Sequence, residues 1–134
     1  MGIGALGTTQ VTLGAVIVVF VLFEIKHLLA DYILQTDWMA QGKQRRAGWA
    51  PPLFVHAGMH GFGTALVALA VNPAFVWLAF VDFFVHALID FMKARIGLAT
   101  GLTPANARFW WLFGADQQLH ALTHLALAVV LLAG

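Results

Sequence analysis

The stretch DFFVHALIDFMKAR, residues 82–95, sets Asp82, His86, Asp90 and Lys93 four, four and three positions apart within an apolar run. On a helix those steps keep one face. The pattern recurs along the chain. Glu24, His27, Asp31 and Gln35 form one set, His56 and His60 another, and Asp116, His120 and His124 a fourth. The chain has six acidic residues and six histidines, and five of the acids lie within four positions of a histidine; only Asp37 stands apart.

Two imidazoles at i and i+4 can grip one metal ion. Helical bundles build carboxylate–histidine metal sites from facing helices. His27, Asp31, His56, His60, His86, Asp90, His120 and His124 are therefore the candidate ligands. Nitrogen and oxygen donors without sulfur suit a divalent transition metal: zinc, iron or manganese. Eight candidates exceed the needs of one tetrahedral site. Either two ions bind, or some residues orient imidazole N–H groups from outside. Asp82, Glu24 and Asp116 are candidates for a general base or for that orienting role. A metal with an open position polarises a phosphoryl or carbonyl oxygen and brings the pKa of bound water to about 7. Lys26 and Lys93 are candidates for holding an anionic group.

Simpler roles compete. One histidine in a membrane helix commonly bonds a neighbouring helix. Asp116, at the expected start of its run, equally fits a helix cap. Lys93 and Arg95 fit snorkelling toward an interface. Glu24 fits a pair with Lys26 or a histidine, and Gly58, Gly61 and Gly63 fit close helix packing. The clustering of so many groups favours a shared centre, because ionisable residues in a membrane are costly.

The elements that must position these groups follow from composition. The 134 residues are 61% hydrophobic and 10% charged, with mean hydropathy +0.86. That is far oilier than a soluble domain of this size, and so short a chain cannot hide that much apolar surface from water. A bilayer is the expected solvent. No cysteine is present, which excludes disulfides and thiolate ligands, and a net charge of +1 predicts no nucleic-acid partner. Residues 1–10 carry no Lys or Arg, so no cleaved leader is expected.

Apolar runs at about 11–35, 53–71, 74–95 and 115–133 can each cross about 30 Å of hydrocarbon at about 1.5 Å per residue. The expected fold is all-α: one transmembrane domain over 1–134, an integral membrane four-helix bundle. Pro51-Pro52 opens the second run, Asn72-Pro73 ends it, and Gly97, Gly101 and Thr103-Pro104 mark the next loop. DWMAQGK and PANARFWWLFG read as short interfacial helices. Lys43, Arg45, Arg46, Lys93, Arg95 and Arg108 fall on the two long loops or the ends beside them. The positive-inside rule puts those loops in the cytoplasm and both termini outside. Counted from the cytoplasmic ends, the histidines then lie about 4–14 Å deep on all four helices. The order His-x3-Asp then His-x3-His occurs twice, as HLLAD with HAGMH and HALID with HALTH. It predicts two tandem helix pairs about a pseudo-twofold axis along the membrane normal.

At KHLLADYILQTDWMA, HAGMHG, HALIDFMKAR and DQQLHALTH the sequence resembles the family of short bacterial membrane proteins designated domain of unknown function 3307. The resemblance covers most of the chain and implies a bacterial inner-membrane protein of several helices. It implies no reaction. The His-x3-Asp patterning is also similar to that of membrane-bound metal-dependent hydrolases, a likeness of pattern alone. The expected function is metal-dependent hydrolysis of a phosphoester or lipid at a cytoplasm-facing His/Asp centre. The alternatives are proton or metal-ion transport, haem or quinone binding, and a small structural subunit of a larger membrane complex. The expected partners are the lipid bilayer and, beyond it, further copies of the chain or such a complex.

Overall fold

The computed structural model describes residues 10–134. Residues 1–9, on which the expectation of no cleaved leader rests, lie outside the described residues. Every element among the described residues is helical, and none is a strand. Helix α1, Leu13–Leu28, passes into a π-helical turn at Leu29–Ile33; α2 is Asp37–Gly42 and α3 is Ala50–Val71. A 3₁₀ turn at Pro73–Phe75 leads to α4, Leu78–Thr100, and α5 is Ala107–Ala133.

Local chemistry sets the boundaries. Thr12 and Thr36 cap α1 and α2, their hydroxyls accepting from the backbone N–H groups of Ala15 and Met39. Proline in the first turn of α3 gives up an N–H that has no helical partner there. Asn72 turns extended and ends α3. Gly101, at φ 62°, ends α4 in the left-handed region that suits glycine.

Two expectations change. DWMAQG does form the short α2, but PANARFWWLFG is not a separate helix: its portion from Ala107 onward is the first part of α5. Asp116 therefore lies inside α5 and caps nothing.

By length and composition, two helical segments are long and apolar enough to cross a membrane: Leu13–Ile33 and Ala50–Val71. Helices α4 and α5 are as long, but Asp82, Asp90, Lys93 and Arg95 interrupt the first, and Asp116, Gln117, Gln118, His120 and His124 the second.

Helices α1 and α4 each pack between α3 and α5. Gly61 permits part of this. A Cβ there would stand 3.0 Å from the Ala79 carbonyl oxygen on α4. Gly63 meets the stem of Lys26 instead, with a Cβ position only 2.5 Å from Lys26 Cγ. Gly58 faces open space, so close packing does not explain it.

The interior is divided along its length. Toward the α3–α4 connection, Val19, Phe23, Ala68, Leu78, Leu127, Ala128 and Leu131 form a dry plug drawn from all four long helices. Toward the other end, the interior is lined by histidines, carboxylates and lysines. The outside is apolar: Ile17, Phe62, Phe80, Phe84 and Leu122 are all more than half exposed.

Candidate metal centre

The π turn carries Asp31 to the middle of the polar zone. Its backbone marker is Leu34 N–H donating to the Leu29 carbonyl, five residues back, at 2.8 Å. Such turns are frequent at functional sites. Three imidazoles meet the Asp31 carboxylate: His60 Nε2 at 2.9 Å and His56 Nε2 at 3.1 Å from Oδ1, and His27 Nε2 at 3.0 Å from Oδ2. From α4, His86 Nε2 stands 3.2 Å from His56 Nε2. Two imidazole nitrogens this close either share one proton or turn both lone pairs to a cation. Donors around a tetrahedral ion with bonds of 2.0–2.1 Å sit about 3.3 Å apart, the spacing seen here.

Asp90 extends the cluster. Its Oδ2 lies 3.5 Å from both His56 Nε2 and His86 Nε2, and its Oδ1 lies 3.5 Å from His120 Nε2. Asp116 Oδ1 is also 3.5 Å from His120 Nε2. Asp116 Oδ1 and His120 Nε2 are buried and have no hydrogen-bond partner. Unsatisfied buried polar atoms cost about 1–3 kcal/mol each, and a cation between them would remove that cost. Three overlapping sets could hold a metal ion: Asp31, His56, His60 and His86; His27, His86 and His120; Asp90, Asp116 and His120. The imidazoles are tightly packed, with ring centres of His60 and His86 only 3.6 Å apart.

The remaining sequence candidates lie beside these sets. His124 turns away: its Nδ1 is 2.8 Å from Glu24 Oε1, and its Nε2 is 3.5 Å from Lys26 Nζ. Lys26 reaches Asp82 at 2.6 Å, and the Thr64 hydroxyl donates to the same Asp82 oxygen at 2.6 Å. His124, Glu24, Asp82 and Lys26 thus form a separate polar layer between the donor sets and the apolar plug. Lys93 reaches Asp116 at 2.8 Å. Neither Lys26 nor Lys93 is a free cation.

Sequence reasoning missed Lys43. Read there as a loop charge, it is buried and reaches Asp90 at 2.6 Å. It arrives from the C-terminal end of α2, a tertiary placement with no signature in spacing. Thr64 was also missed, although it stands four residues beyond His60, on the same helix face.

Charge completes the description. The ammonium groups of Lys26, Lys43 and Lys93 meet Asp82, Asp90 and Asp116, whereas Glu24 and Asp31 meet imidazoles. Asp31 is the carboxylate of the donor sets that meets imidazoles and no lysine. Buried charge is tolerated only when compensated.

No curated relative and no solved structure matches the chain. A family model, described as protein of unknown function (DUF3307), matches residues 19–133. Covering nearly all the histidine-bearing helices, that match makes the chain a member of the DUF3307 family.

Proposed function

We propose that this is a four-span integral membrane protein whose buried His/Asp cluster binds one or two divalent transition-metal ions and uses them to hydrolyse a phosphoester. The carrying observation is the convergence of ring nitrogens from His27, His56, His60, His86 and His120 on Asp31 and Asp90. A divalent ion there would compensate the Asp31 carboxylate, which no lysine meets. A metal there would polarise a phosphoryl oxygen and acidify a bound water. Asp31, whose side chain is 14% exposed and lines the cavity, is the carboxylate best placed to take the proton from that water.

The membrane reading rests on the inverted distribution of polarity. Charged groups fill the interior, and large apolar side chains cover the outside of α4 and α5 as well as α1 and α3. A soluble protein rarely exposes contiguous apolar surface on that scale. Exposed Trp38, Trp110 and Trp111 gather at one end and Trp77 at the other, as interfacial belts require. Lys43, Arg45, Arg46, Lys93, Arg95 and Arg108 share the first of these ends, which favours a cytoplasmic face there and the inner membrane of a bacterium. The alternation of α1 and α4 between α3 and α5 fits two tandem helix pairs about a pseudo-twofold axis.

The apolar plug argues against a through-path for ions, and hence against transport. The packed imidazoles leave no slot for a porphyrin. Protein stripped with chelator and reloaded with zinc or manganese should hydrolyse bis-p-nitrophenyl phosphate, and Asp31→Asn should lower the rate by about 100-fold or more. Hydrolysis that survives chelation, or none after loading, would contradict the proposal.

A further inference from the structure

Through Asp31 the donor sets border a cavity of about 400 Å³, a volume within the range of small-ligand pockets. Its lining is of two kinds. Asp31, Lys43, Lys93 and the amides of Gln35 and Gln117 are polar, and Leu98, Leu102, Leu112 and Phe113 are apolar. Lys93 touches both kinds, its Nζ 2.8 Å from Asp116 and 5.6 Å from the centre of the Phe113 ring. A water-soluble phosphoester would gain nothing from the apolar lining. A molecule with an apolar chain would gain affinity with each methylene it lays there.

The polar lining constrains the head group. The Asp31 side chain is 14% exposed, so a carboxylate faces the cavity. An anion can dock beside it only when a cation neutralises it. The lysines and amides then supply donors for the remaining oxygens.

We infer that the cavity binds a single-chain amphiphile, with its phosphate-type head on the metal centre and its alkyl chain along Leu98, Leu102 and Leu112. The inference rests on the metal-hydrolase reading and names the substrate class for that site. Were the head held there, water would add to phosphorus as the P–O bond to the alkyl chain breaks, and the departing oxygen would take the proton the water loses, leaving inorganic phosphate and a free alcohol.

The test uses cobalt(II)-loaded full-length protein in detergent, with methyl phosphate and dodecyl phosphate as probes and the cobalt absorption bands as readout. Cobalt content is measured first, so failure of the metal reading shows before any ligand is added. Both phosphates should shift the cobalt bands. Wild type should bind dodecyl phosphate about tenfold tighter than Leu112→Asn does, while methyl phosphate binds the two equally. Partition of the probe into micelles cancels in that ratio. Leu98→Asn provides the same comparison should Leu112→Asn not fold. A ratio near one for both probes, or dodecyl phosphate binding that leaves the cobalt bands unmoved, would overturn the inference.

Discussion

Lys26 sits between two needs. Its ammonium compensates Asp82 at 2.6 Å, and its stem threads past Gly63 to get there. Both partners are nearly inaccessible, at 8% and 1%, so neither can be solvated alone. Removing one member of such a pair strands a charge, at a cost of about 3–5 kcal/mol, whereas replacing both with apolar groups can be nearly neutral. Lys26→Met should therefore lower the midpoint of denaturant unfolding in detergent far more than the double variant Lys26→Met/Asp82→Leu. Equal losses in the two would show that the pair is not coupled. At this scale the sequence was informative about which residues turn inward, because i, i+4 spacing of costly groups in an apolar run has few other causes. It could not assign partners. His124 shares the His-x3-His pattern of His60, yet it bonds Glu24 and Lys26, because Glu24 and Lys26 come from α1, a helix far away in sequence. Lys43 was illegible for the same reason.

At the scale of elements, the glycines of α3 divide by what they face. A side chain at Gly63 meets Lys26 carbons, whereas Gly58 has open space. Gly63→Val should destabilise the protein by about 1–3 kcal/mol through overpacking and should displace Lys26 from Asp82. Gly58→Ala should be neutral or slightly stabilising, since glycine inside a helix is unfavourable by about 1 kcal/mol against alanine. Thermal unfolding of both variants in one detergent checks the contrast; equal shifts would contradict it. Helix ends were legible where proline, asparagine or a left-handed glycine marks them, as at Pro51, Asn72 and Gly101. The start of α5 was not. Asn106 precedes it without a side-chain capping bond, and the Trp110-Trp111 pair masked helical residues as an interface. The π turn at Leu29–Ile33 was also hidden, because one extra residue in a turn leaves the local composition unchanged.

The whole molecule is a polar cluster inside an apolar jacket, with a dry plug at one end and a cavity at the other. Composition already pointed to the jacket, and only packing could reveal the plug and the cavity. The absence of cysteine makes orientation directly testable. In intact bacterial cells, an impermeant maleimide should label Asn72→Cys, in the short connection opposite the cavity, and should spare Arg46→Cys until the membrane is opened. The reverse pattern would invert the protein, and labelling of both in intact cells would contradict four spans.

The central claim is that the converging imidazoles and carboxylates hold a metal. The direct measurement is elemental analysis of untagged protein purified without chelator. The account predicts one or two divalent transition-metal ions per chain, lost in Asp31→Ala and His60→Ala, and retained in Leu112→Asn. Folded, metal-free protein that takes up no zinc, iron or manganese when offered them would contradict it.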